Sequence, residues 1–123
     1  MMRVLSAALV LVSFAVSADP IRIVDGNYLR YDATGFNSLF LPCQSEEVWS
    51  IEGGTASESL VDYYRNHKTS ASAEIRVTLM LSVSPIDRIK HPGSQVEATA
   101  RVNAILSISE DAGEIAGCRQ TSA

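Results

Sequence analysis

The chain has 123 residues, with 14 acidic against 10 basic side chains and a net charge of −4. That length suffices for one domain with one modest core. Its Lys and Arg are dispersed along an acidic chain, which lacks the electrostatic footprint of a nucleic-acid binder.

The N-terminus reads as an address. Met1-Met2-Arg3 is a short basic start, residues 4–16 are apolar except for Ser6 and Ser13, and Val16-Ser17-Ala18 places small residues where a signal peptidase reads them. An apolar run of roughly 13 residues is too short to span a bilayer, which takes about 20. Residues 1–18 are therefore expected to be a secretory signal peptide cut before Asp19, leaving a periplasmic or secreted product of net charge −5. No Cys follows the cleavage point, so no N-terminal lipid anchor is expected, and no second apolar stretch is long enough to cross a membrane. Residues 19–123 form the expected single domain.

Two short strands are predicted at 21–24 and 28–31, separated by Asp25-Gly26-Asn27, which reads as a bulge within one bent strand. A turn follows at residues 32–35. Residues 36–42 and 47–51 form a second hairpin, with Cys43-Gln44-Ser45-Glu46 at its tip, and Pro42 closes a strand because it has no ladder donor. Thr55-Ala56-Ser57-Glu58 matches a capping box. The helix it starts carries Leu60, Val61 and Tyr64 on one stripe and ends near His67, before a polar link at 68–72.

The firmest pattern lies beyond. Across residues 74–84 the apolar positions are Ile75, Val77, Leu79, Leu81 and Val83, and across 95–109 they are Val96, Ala98, Ala100, Val102, Ala104, Leu106 and Ile108. Alternation this long predicts two strands with one buried face each, joined by a turn at His91-Pro92-Gly93. The inward alanines leave the space that a tightly curved, closing sheet requires. Three strands, a helix and two strands is the order of a five-stranded OB-type barrel, so the fold class predicted is mainly β, a small OB-like antiparallel barrel. After residue 110 a Gly-rich tail is expected.

Few residues suggest chemistry. His67 sits at a helix end and His91 in a turn, and neither has a second ligand two to four residues away, so no metal site is expected. C-x-x-C and G-x-S-x-G are both missing, and Glu46, Glu47 and Asp62 read as solvated carboxylates. Neither an enzyme nor a cofactor is expected. Phe40, Trp49 and Tyr64 fall in periodic segments and read first as core. OB barrels, however, bind on the face of their second and third strands, where aromatics stack on ligands. Phe36, Phe40 and Trp49 are accordingly the candidate binding residues, and the acidic balance favours a sugar or peptide over nucleic acid.

Cys43 and Cys118 are the only cysteines. In an exported domain of this size they are expected to pair, the tail reaching back to the hairpin tip. The alternative is a reactive or lipidated thiol.

Tyr28-Leu29-Arg30-Tyr31, Phe40-Leu41-Pro42-Cys43, the Trp49 strand and Leu60-Val61-Asp62-Tyr63-Tyr64 together resemble the small OB-fold domain at the C-terminus of the bacterial envelope lipoprotein NlpE and its periplasmic relatives. The resemblance covers nearly all of the expected mature chain as pattern and order. It implies an envelope location and a sensing, adhesion or binding role, with no catalytic residues. This chain lacks the family's lipid-attachment Cys and its C-x-x-C companion domain, so copper handling and outer-membrane anchoring do not carry over. Two functions follow: a binding module for a glycan, peptide or protein, or a structural or inhibitory envelope protein that docks a partner without a pocket.

Overall fold

The computed structural model describes residues 20–30, 38–67 and 73–119. The expected signal peptide, the turn at 32–35, Phe36 and the link at 68–72 lie outside the described residues. Five strands, β1 (Ile21–Arg30), β2 (Ser38–Pro42), β3 (Trp49–Ile51), β4 (Ile75–Pro85) and β5 (Ala98–Ser109), are joined by two helices, α1 (Thr55–His67) and α2 (Ala112–Cys118). They form a closed OB-like barrel in the order β1-β2-β3-β5-β4, with β4 pairing back to β1. The barrel is mixed rather than wholly antiparallel, because β3 and β5 run parallel. A parallel pair needs a long crossover, and α1 with β4 supplies one that hairpin patterns do not reveal.

One strand serves two partners. β1 pairs with β4 from Ile21 to Tyr28 and with β2 from Gly26 to Arg30, both in unbroken register. The expected bulge at residues 25–27 is therefore absent, and Gly26 has another reason to be glycine. A Cβ there would stand 2.3 Å from Phe40 Cζ and 2.7 Å from Leu41 O, so the Phe40 ring occupies the space a side chain would need.

Bulges occur in β5 instead. Its register with β4 slips between Thr78 and Leu79 and again between Met80 and Leu81, so Leu79 faces Ile105 and Leu81 faces Val102. Each slip flips the parity of the strand. Ile105 replaces the expected Ala104 and Leu106 on the inner side and packs against the core with Val102 and Ile108. Leu106 is turned out and is 48% exposed. Ahead of the slips the alternation holds. Ile75, Val77, Leu79 and Leu81 are fully buried, and Ala98 and Ala100 lie inward opposite Trp49 and Ile51, where larger side chains would collide.

α1 adds Leu60 and Tyr64 to the core, with Tyr64 edge-on to Tyr28 at 5.6 Å and donating to Ala73 O at 2.7 Å. The predicted cap moves by one residue. Glu58 N donates to Gly54 O, and the Ser57 hydroxyl donates to the same carbonyl, so the chain enters the helix at Gly54 rather than Thr55.

The expected flexible tail is helix α2, capped by Asp111, whose carboxylate accepts from Glu114 N at 2.9 Å. Asn27 Nδ2 donates to Ile115 O and Arg76 Nη1 to Glu114 O, which seats α2 against β1 and β4. Cys118 closes a disulfide with Cys43 at a Cα separation of 4.5 Å, within the usual range. Gln44 N also donates to Cys118 O, and Arg119 to Pro42 O and Glu47 O, so the hairpin tip and α2 are tied together. No described helix is long and apolar enough to cross a membrane.

Candidate ligand-binding groove

Residues 39–41 of β2 are apolar in succession, so both faces of the strand are apolar. Phe40 takes the inner face, opposite Trp49 of β3, and both are core: Phe40 is fully buried and Trp49 is 5% exposed. Their rings stand 5.7 Å apart, and Trp49 Nε1 donates to Glu47 while the Arg22 guanidinium lies 5.4 Å over its indole. Neither is available as a stacking platform. Two of the three residues expected to bind are thus assigned to the interior by strand parity, and the third, Phe36, lies outside the described residues.

The same parity turns Leu39 and Leu41 outward, beside Leu29 of β1 and Val48 ahead of β3. These four aliphatic side chains form one wall of a groove of about 590 Å³. The opposite wall is residues 90–96 of the β4–β5 loop. A volume of this size falls within the range of about 300–1,000 Å³ usual for small-ligand pockets. The groove lies on the second and third strands and under the loop between the fourth and fifth, the part of an OB barrel that usually binds.

The loop is built. Asp87 Oδ1 accepts from Ile89 N at 2.9 Å and Lys90 N at 3.3 Å, an Asx-type turn. His91 N donates to Asp87 O, and Arg88 Nη1 reaches across to Ser94 O at 2.7 Å. Gly93 has φ 73°, a left-handed conformation that favours glycine. The Ser94 hydroxyl accepts from Val96 N, which buries Val96 beneath the loop. Glu97 N donates to Val48 O and Glu97 Oε1 accepts from Val48 N, so the end of the loop is tied to the start of β3. The groove's two walls are therefore fixed to each other at that end.

The chemistry of the lining is aliphatic, with charge at the rim. Among the described residues lining it there is no Phe, Tyr or Trp, while Lys90 and His91 stand exposed along the loop. Such a lining suits branched aliphatic groups and offers sugars or bases no ring to stack on. Elsewhere, Tyr63, His67 and Glu110 meet on the surface. The two rings stack at 3.9 Å, and the Tyr63 hydroxyl donates to Glu110 at 2.7 Å. That hydrogen bond, with some desolvation and the carboxylate's charge, raises the Tyr63 pKa above its usual 10.0. Among the described residues no three His, Cys, Asp or Glu side chains gather as a metal site would require.

The consecutive Leu39-Phe40-Leu41 run was the signal for this groove, because a strand apolar on both faces has something to cover on each. Comparison with protein-family profiles, with curated proteins and with solved structures finds no match.

Proposed function

We propose that this protein is an exported, non-enzymatic binding module of the cell envelope, and that its β2–β3 groove receives an extended aliphatic peptide segment of another protein. One observation carries the reading: the only large lining surface of the groove is four outward aliphatic side chains on the strands where OB barrels bind. The leader-like residues 1–18 and the Cys43–Cys118 disulfide support an extracytoplasmic setting, since such bonds persist in oxidising compartments. An envelope role also accords with the resemblance to the NlpE C-terminal domain. Sugar ligands are disfavoured by the want of an aromatic among the described lining residues.

A second reading, docking of a partner without a pocket, draws on a different surface. Ile21 and Ile23 are 59% and 63% exposed, and Ile23, Met80 and Ala104 form a cross-strand row on the outer face, with Leu106 nearby in β5. One experiment separates the two. Peptides selected from a display library against the protein should be rich in Leu, Ile and Val, and Leu39→Glu should abolish their binding while Ile23→Glu leaves it intact. Loss with Ile23→Glu and retention with Leu39→Glu would place binding on the outer sheet instead. Export is checked by N-terminal sequencing of the envelope fraction, which should begin at Asp19.

A further inference from the structure

The groove's rim differs in charge from the rest of the molecule. The chain carries a net −4, yet residues 88–91 place Arg88, Lys90 and His91 within four positions, all exposed. Between them Ile89 is 92% exposed. The nearest acid in sequence, Asp87, directs a carboxylate oxygen to the amides of Ile89 and Lys90, so it organises the turn. Arg88 is held across the loop on Ser94 O, which leaves Lys90 and His91 as the cationic side chains that line the groove. Among the described residues Lys90 enters no ion pair.

Resting on the reading of the groove as a peptide site, we infer that the segment it takes is anionic: a carboxylate lies next to the aliphatic residues that fill the Leu39–Leu41 wall. The electrostatic argument is one of opposites. An acidic protein repels an acidic peptide at long range, so a local cluster of cations beside an aliphatic groove is placed to reverse that repulsion where it matters. Ile89 extends the apolar wall past the cations, so an alternation of aliphatic and acidic side chains matches the rim better than a purely apolar run. The carboxylate has two possible sources, an internal Asp or Glu or the partner's C-terminus.

The test uses the mature protein and four acetylated peptides of alternating Leu and Val. One carries a Glu and a C-terminal amide, and one a Gln and an amide. The third carries a Lys and an amide, and the fourth a Gln and a free C-terminus. Binding is measured by calorimetry at low ionic strength and again with added salt. The Glu peptide should bind roughly three- to tenfold more tightly than its Gln counterpart, since exposed charge pairs contribute modestly, and salt should narrow the gap. Tight binding of the free-C-terminal peptide would assign the carboxylate to a chain end, and tight binding of the Glu amide to a side chain. Lys90→Glu should invert the order, so that the Lys peptide binds best. If all four bind equally to wild type and to Lys90→Glu, while Leu39→Glu still abolishes binding, the charge inference is wrong and the groove stands. If no peptide binds, both are wrong.

Discussion

Gly26→Ala is the sharpest test of how the barrel is packed. The added Cβ would lie 2.3 Å from Phe40 Cζ, 2.6 Å from Cε1 and 2.7 Å from Leu41 O. Carbon atoms in contact ordinarily stand about 3.5–4.0 Å apart, so the ring would have to retreat by more than about 1 Å. It has little room to do so, being fully buried with Trp49 beside it. The carbonyl of Leu41 cannot change rotamer at all. Relieving it means opening the β1–β2 pair at Asn27 and Leu41. Overpacking a core costs about 1–3 kcal/mol, occasionally more, and two obstacles place this substitution near the top of that range. Against a total of about 5–15 kcal/mol for a domain, that is a large share. Urea unfolding should show a lower midpoint at unchanged slope. Phe40→Leu removes the ring, so Gly26→Ala should cost less in that background, with a coupling of about 1–2 kcal/mol. A neutral Gly26→Ala, or strict additivity in the double variant, would refute the packing described here.

Three further expectations follow from the same geometry. Replacing both Cys43 and Cys118 with Ser removes a cross-link spanning 75 residues. In the chain-entropy model that costs about 4 kcal/mol, a fall in Tm of roughly 15–30 °C for a domain this size. Freshly isolated native protein should take up no alkylating reagent, whereas two labelled thiols would contradict the pairing. Ala100→Leu, at a fully buried position opposite Ile51 and Val83, should destabilise by about 1–3 kcal/mol in a denaturant titration. Burial raises the pKa of Tyr64 above its usual 10.0. The proton is thus held more tightly in the folded state, and its contribution is complete below the unfolded value and lost as pH rises through the folded one. Stability should therefore fall with alkali above about pH 10, and Tyr64→Phe should weaken that dependence.

Much of the barrel was legible because alternation is a direct imprint of one buried face. Residues 75–81 and the span of α1 are cases where period and burial coincide. What stayed hidden depended on contacts distant in sequence. The parallel pairing of β3 with β5 has no local signature, and the two slips in β5 flip parity without any Gly or Pro to mark them. Asp111 and Glu114 did carry a capping signal for α2, but glycines at 113 and 117 masked it. The binding face illustrates a subtler limit. Leu39-Phe40-Leu41 is apolar throughout, so periodicity could not say which side chains turn inward, and the preference of aromatics for ligands pointed to the wrong ones. Pairing with Trp49 decides the matter, sending Phe40 into the core and the leucines to the groove.

The central claim, that the outward face of β2 and β3 is the binding surface, is tested most directly by methyl NMR. Protein labelled at Leu, Val and Ile methyls would be titrated with the Glu-bearing aliphatic peptide. Shifts and intermolecular contacts are predicted at Leu29, Leu39, Leu41 and Val48, with the Ile21, Ile23 and Leu106 methyls unmoved. Perturbation confined to Ile21, Ile23 and Leu106, with the groove methyls silent, would contradict it.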